Sequence, residues 1–178
     1  MSFFISCLFM GIALSMDAFS LALAYGTIGM SNKKCLVLSI IVGVFHFFMP
    51  QIALVASKLI GGNLLIGANL LVSLILMIIA LSMLASTKKE EVIAPLTSFY
   101  SLLLFAFSVS LDAFSLGIGL SFLYDSLLVP SIIFAITSFS FTYAGLFLGN
   151  KLSIKFGKLA TFLGSILLFV LALHYFFS

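Results

Sequence analysis

The chain has 178 residues, of which 63% are hydrophobic and only 7% are charged. A soluble domain carries about 25% charged residues, which cover its surface, so this composition excludes a water-soluble globular protein. The net charge of +3 comes from eight lysines set against five acidic residues. We attribute this excess to membrane topology, not to nucleic-acid binding.

Apolar runs of about 20 residues, long enough to cross a ~30 Å hydrocarbon core as a helix, recur along the chain. The sequence predicts an all-α membrane protein, a single transmembrane domain over residues 1–178 with short connections. No GxxxxGK[ST] phosphate loop is present, so ATP-driven pumping is not expected. The six predicted spans are 3–26, 35–57, 64–85, 96–122, 127–148 and 159–177.

The first apolar run lacks a basic leading segment, is too long for a signal peptide and contains Asp17. We therefore expect it to stay in the protein as helix one. Cys7 and Cys35 lie near the starts of helices one and two, at opposite faces of the membrane. A disulfide between them is geometrically excluded.

The lysines predict the orientation of the chain. Seven of the eight lysines lie in or beside the connections after helices one, three and five, and only Lys58 lies on the other side. Because basic residues concentrate in cytoplasmic loops, these three connections are predicted to be cytoplasmic. Both termini then lie outside.

A short motif occurs twice and indicates an internal repeat. Residues 15–21 read SMDAFSL and residues 110–116 read SLDAFSL, which agree at six of seven positions. The offset of 95 residues spans three helices, so the second copy enters the membrane from the opposite side. We predict two inverted three-helix repeats, at about 3–86 and 96–177, an architecture with its site near the midplane in many secondary transporters.

Asp17 and Asp112 occupy the same motif position, each inside a long apolar helix. An unpaired carboxylate there costs at least a few kcal/mol, and we expect the lysines to stay at the membrane edges. The carboxylates are then protonated, hydrogen-bonded to neighbouring helices or bound to a mobile cation. The duplication favours a cation site over two packing residues.

Small residues flank both aspartates at helical spacing. Ser20 follows Asp17 and Ser115 follows Asp112, each on the same helix face. Small faces let helices approach closely in lipid. We therefore expect the two carboxylates and two hydroxyls to form a cation cage.

Three further polar residues are candidate ligands. His46 precedes Pro50 by four residues, so the proline frees the His46 carbonyl and is expected to kink helix two. Aligning the halves sets Ser138 of helix five opposite His46. Asn69 of helix three offers a carbonyl oxygen. For all three, a structural hydrogen bond within the bundle is the alternative.

The chain resembles the MntP-type manganese efflux pumps. The resemblance lies in SMDAFSLALAYG, GVFHFFMPQIALVASKLIG and SVSLDAFSLGIGLSFL, and the similarity covers essentially the whole chain. It implies Mn²⁺ export across the bacterial cytoplasmic membrane, with Asp17 and Asp112 at the acidic positions of the family. His46 stands where the family usually has Glu or Gln, so membership is better supported than metal specificity.

The sequence thus favours a proton-coupled exporter of Mn²⁺, which is transported substrate and not a cofactor. Its partners are the metal ion, protons and the bilayer, and a homodimer is left open. One alternative is an organic-solute exporter, like the distantly similar lysine exporters, or a sporulation-linked protein of the same fold. An intramembrane aspartyl protease is a remote alternative, because its YD and GxGD motifs are missing, and we expect no enzyme.

Overall fold

The structure, a computed structural model, describes residues 3–60, 67–88, 96, 98–149 and 154–177. Within these residues every regular element is a helix, and six stretches are long and apolar enough to cross a membrane. This confirms the predicted all-α membrane fold. The helices are α1 (Phe3–Gly26), α2 (Asn32–Ile60), α3 (Ala68–Ser86), α4 (Phe99–Val109), α5 (Leu111–Ser121), α6 (Leu128–Leu148) and α7 (Ile154–Phe176).

The fourth predicted span contains two helices, α4 and α5, which meet at Ser110. The backbone of Ser110 has φ −92° and ψ −3°, in a sparsely populated region between helix and strand. Its amide donates to the carbonyl oxygens of both Ala106 and Phe107, at 3.2 and 3.1 Å, and its hydroxyl donates to Ala106 O at 2.5 Å. Such back-bonding by serine bends helices. Asp112 therefore lies in the first turn of a new helix.

Two helices begin earlier than the apolar pattern predicts. α2 begins at Asn32, ahead of Lys33 and Lys34, and α7 begins at Ile154, ahead of Lys158. Lysine has good helix propensity and can extend its ammonium group toward water, so a helix can continue through lysines at a membrane edge. Lys158 is consequently a half-buried residue within a helix, and the predicted start of this span, residue 159, is later than the start of the helix. Lys89 and Lys151 lie outside the described residues.

The direction of each helix follows from the residues that meet between helices. α6 runs parallel to α1 and antiparallel to α2, while α5 runs parallel to α2. The contacts are Gly11 with Ile133, Gly26 with Leu146, Gly43 with Phe139, Gln51 with Ser131, His46 with Ser110, and Pro50 with Gly117. α1 and α5, which carry the two motif copies, thus run in opposite directions. An inverted repeat requires this, but the repeat itself stays a prediction.

Each aspartate-bearing helix packs against two others. α1 lies chiefly against α6 and α7, whereas α5 lies chiefly against α2 and α3. Each of these two helices therefore packs against the second and third helices of the other predicted repeat. Pro50 lies inside α2, and the helix continues through it from Asn32 to Ile60.

Candidate functional site

Asp112 lines a cavity between α5 and α3. The cavity has a volume of about 300 Å³, and its other polar side chain is Ser115, one turn further along α5. Isoleucines complete the lining: Ile75, Ile78, Ile79 and Ile118. Ser115 donates to its own helix at Leu111 O, 3.1 Å away, which leaves the lone pairs of its hydroxyl oxygen available to a ligand. A carboxylate and a hydroxyl oxygen therefore face an otherwise apolar space.

Asp17 lies on the side of α1 that meets α7. Ser20, one turn beyond Asp17, is buried beneath Gly157, where an added Cβ would lie 2.9 Å from the Ser20 hydroxyl oxygen. Lys158 follows Gly157 directly in α7. Asp17 itself is half-buried. The Asp17 side of the protein is thus closely packed where the Asp112 side has a cavity.

The predicted cage of both aspartates with Ser20 and Ser115 stays a prediction. Their helices contact different neighbours, α7 for Asp17 and α3 for Asp112, and the cavity beside Asp112 does not include Asp17. Within the described ranges, no three His, Cys, Asp or Glu side chains lie close enough to form a metal cluster.

His46 is buried and bonded to α2 and to the α4–α5 junction. Its Nδ1 lies 3.0 Å from Val42 O and 3.2 Å from the Ser110 hydroxyl oxygen. A carbonyl oxygen can only accept, so Nδ1 carries a proton that it donates. The Ser110 hydroxyl already donates to Ala106 O, so it accepts from Nδ1. In the neutral imidazole this leaves Nε2 as an acceptor.

Ser138 makes the corresponding contact in the other half of the protein. Its hydroxyl lies 3.2 Å from that of Ser15. Ser15 donates to Gly11 O at 2.6 Å, so Ser138 must be the donor between the two hydroxyls. Ser15 and Ser110 are the first residues of the two motif copies, and Ser138 is the residue aligned with His46. The motifs therefore tie α1 to α6, and the α4–α5 junction to α2, through equivalent hydrogen bonds.

The serines at the start of each motif are the residues that our sequence reasoning missed. Both Ser15 and Ser110 are completely buried, and both belong to the stretch that identified the repeat. The sequence signal was that the same residue, serine, stands two positions before each aspartate. It could have been used, because a repeated buried hydroxyl usually has a partner on another helix.

Asn69 does not line the cavity beside Asp112. It is half-buried in the first turn of α3, and it precedes Ile75, the first α3 residue beside the Asp112 cavity, by six residues. At 1.5 Å per residue this is about 9 Å along the helix. A ligand role for Asn69 in this cavity would require α3 to slide.

Thr142, one turn after Ser138 on α6, has the one buried side-chain oxygen or nitrogen without a hydrogen-bond partner among the described residues. Its side chain is fully buried. Unpaired buried hydroxyls are uncommon and costly. Together with the serine pairs, Thr142 makes the bundle interior more polar than its composition suggests.

Substitution of His46 can distinguish a polar role of the imidazole, as hydrogen-bond donor or ligand, from a role in packing alone. His46→Gln keeps a donor for Ser110 and should preserve transport, whereas His46→Leu loses both the donor and Nε2 and should weaken it. The measurement is efflux, from loaded vesicles, of the metal ion that the sequence resemblance leads us to expect as the substrate. Full activity in the leucine variant would show that the imidazole serves only in packing. The backbone carbonyl of His46 would then be the better candidate for a cation ligand.

Six apolar spans, with half-buried acidic side chains and buried hydroxyls on the helices that form them, define a multi-pass membrane protein of the ion-transporter class. Comparison with known proteins identifies the family. The family model described as "Putative manganese efflux pump" matches residues 29–176. The chain belongs to this family, the MntP family.

Curated relatives are similar to this chain over nearly their whole length. Proteins named "Putative manganese efflux pump MntP" are 33% identical in Bacillus pumilus, over 89% of this chain and 87% of the relative. The Methanosphaera stadtmanae relative is 33% identical over 94% of this chain and 95% of the relative. The Halalkalibacterium halodurans relative is 34% identical over 92% of this chain and 91% of the relative. No solved structure matches. These names describe transporters, in agreement with the expectation that the chain is not an enzyme.

Proposed function

We propose that this protein exports a divalent metal cation, Mn²⁺, in exchange for protons. The observation that carries the proposal is Asp112, which lies with Ser115 in an isoleucine-lined cavity between α3 and α5. A carboxylate among apolar side chains within a membrane is costly unless it has a partner. Membership in a family whose relatives are named manganese efflux pumps makes a metal cation the natural partner.

The ligand chemistry favours a hard cation. Carboxylate, hydroxyl and carbonyl oxygens suit Mn²⁺ or Mg²⁺, whereas zinc and copper favour thiolate and imidazole sets. The two cysteines, Cys7 and Cys35, are both buried and free, and they belong to different core clusters. Asp17 and Asp112 together carry two negative charges, which would neutralise a dication and lower the cost of removing it from water.

The energetics favour coupling to protons. Moving two positive charges out of a negative interior costs about 4.6 kcal/mol per 100 mV, from about 2.3 kcal/mol for each charge. Exchange of one dication for two protons moves no net charge. The same two aspartates would bind either load, as carboxylates with the metal or as carboxylic acids with the protons.

The proposal is tested by transport in sealed proteoliposomes. We expect a panel of Mn²⁺, Mg²⁺, Zn²⁺ and lysine to show Mn²⁺ uptake with opposite proton movement, detected by a pH-sensitive dye. Transport of lysine without metal transport would indicate the organic-solute alternative. No transport of any of the four substrates, in vesicles shown to be sealed and to contain folded protein, would contradict the exporter.

The lysine distribution gives a second prediction, on orientation. A cysteine introduced at exposed Ser31, in the connection after α1, should react only with reagents that reach the cytoplasm. Exposed Lys58, near the other end of α2, is the matched position, and Lys58→Cys should react with an impermeant reagent added outside. The reverse pattern would invert the topology, and the direction of transport with it.

A further inference from the structure

A cleft separates the end of α1 from the start of α4. It has a volume of about 370 Å³ and is lined by Tyr25, Ser101 and Ser108 among apolar side chains. A second cavity of about 240 Å³ continues from Tyr25 to Ser31 and Lys34. We call the first cavity the α1–α4 cleft. With its continuation it reaches the lysine-bearing end of the bundle.

The α1–α4 cleft leads along one helix face toward Asp112. Ser101, Ser108, Asp112 and Ser115 are separated by seven, four and three residues, which places all four on one face of α4 and α5. The first two residues line the α1–α4 cleft, and the other two line the cavity beside α3. Four polar side chains thus lie along this face from one end of the bundle to the carboxylate, with Leu104 and Phe105 of the cleft between the first two.

The equivalent region at the opposite end is packed shut. Under the 95-residue offset, the counterparts of Ser101, Ser108, Leu21 and Tyr25 are Ser6, Ala13, Leu116 and Leu120. Ala13, Leu116 and Leu120 have no exposed surface, and Ser6 is 3% exposed. In the α1–α4 cleft, by contrast, Ser108 is exposed and Leu21, Tyr25 and Ser101 are half-buried.

The difference extends to the serines that follow the aspartates. Ser20 is buried beneath Gly157 of α7, whereas its counterpart Ser115 faces the cavity beside α3. Chemically similar positions therefore have different access to open space. In a transporter built from repeats, such a difference distinguishes the open end from the closed end.

We propose that the α1–α4 cleft is the water-filled entrance through which the cation reaches Asp112 from the lysine-bearing end, in a state closed at the opposite end. This rests on the proposed function. The hydroxyl groups of Tyr25 and Ser108 supply oxygens that can replace part of the hydration shell of a hard cation, whereas the Ser101 hydroxyl is bonded to the backbone of Ser98 at the start of α4. Lys34 is exposed at the mouth, where salt screens its charge over about 8 Å.

The test is cysteine accessibility in two matched pairs. In a background with Cys7→Ala and Cys35→Ala that still transports Mn²⁺, Ser101→Cys and Ser108→Cys are compared with Ser6→Cys and Ala13→Cys. The probe is a positively charged, water-soluble methanethiosulfonate. Applied from the lysine-bearing end, it should label both cleft variants and neither counterpart. Mn²⁺ should slow the labelling of Ser108→Cys, and labelling there should abolish Mn²⁺ transport.

The outcomes separate the entrance from the transport function. Failure to label Ser101→Cys and Ser108→Cys, while Mn²⁺ transport is intact, would overturn the water-filled entrance and leave the exporter standing. Labelling of Ser108→Cys without loss of transport would exclude the cleft from the cation path. Equal labelling of Ser6→Cys and Ser101→Cys would overturn the closed opposite end. If the wild-type protein moves no metal ion, the proposed function fails and the cation entrance fails with it.

Discussion

Asp112→Asn and Asp17→Asn should each abolish Mn²⁺-dependent proton movement while the protein still inserts and folds. Asparagine keeps the shape of the side chain and removes the charge. Removing one partner of a buried charge pair costs about 3–5 kcal/mol, which lowers cation affinity about a hundredfold or more. Asparagine also cannot carry the exchanged proton. The measurement is Mn²⁺-driven pH change in proteoliposomes that contain each variant.

Asp125→Asn is the matched control for both substitutions. Asp125 is exposed between α5 and α6, outside the predicted spans, so its loss should leave exchange unchanged. Insertion and folding of all three variants are checked by size-exclusion chromatography. Exchange at the wild-type rate in both Asp17→Asn and Asp112→Asn would refute the paired-carboxylate mechanism, because a neutral packing carboxylic acid can be replaced by an amide.

The number and positions of the membrane spans could be predicted from the sequence. A helix that crosses a bilayer must satisfy its backbone hydrogen bonds internally and present about 20 apolar residues to lipid. Hydropathy therefore reports these spans directly. The boundaries were less certain at Lys33, Lys34 and Lys158, because a helix can extend beyond the hydrocarbon while the apolar pattern cannot.

The junction at Ser110 could not be predicted from hydropathy, because α4 and α5 are both apolar and together read as one span. It depends on a hydroxyl bonded to the carbonyl of Ala106 and on the imidazole of His46 from α2. Serine in a membrane helix often bonds to its own backbone without interrupting the helix. Ser15 of the continuous helix α1 also has a partner on another helix, so such a partner alone does not interrupt a helix, and the contact of Ser110 with His46 spans 64 residues of sequence, beyond what hydropathy reports.

The aspartates were the strongest prediction of the site, and their access was the weakest. The two copies of the motif identified Asp17 and Asp112 as equivalent positions. The cost of placing a carboxylate within a membrane then indicated that they are functional. Nothing in the motif indicates that Ser115 faces a cavity while Ser20 is covered by Gly157. Repeats of similar sequence must adopt two different packings in an asymmetric state, so sequence symmetry cannot show which half is open.

The second large effect is expected at the contact between α1 and α6. Gly149→Ala should destabilise the protein, because an added Cβ would lie 2.5 Å from both the Cα of Gly26 and the carbonyl oxygen of Leu23. Backbone atoms cannot move aside as a side chain can, so the helices must separate. Overpacking of this kind costs about 1–3 kcal/mol. It should also weaken the close small-residue packing that holds helices together in lipid.

The measurement is unfolding of the purified protein by SDS titration in mixed micelles, compared with Gly67→Ala. Gly67 precedes α3, and an added Cβ there meets nothing within 4 Å, so its variant should unfold at the wild-type SDS fraction. Gly149→Ala should unfold at a lower fraction and lose transport, since α1 carries Asp17. Equal unfolding of the two variants would show that α1 and α6 are not held at this distance in the membrane.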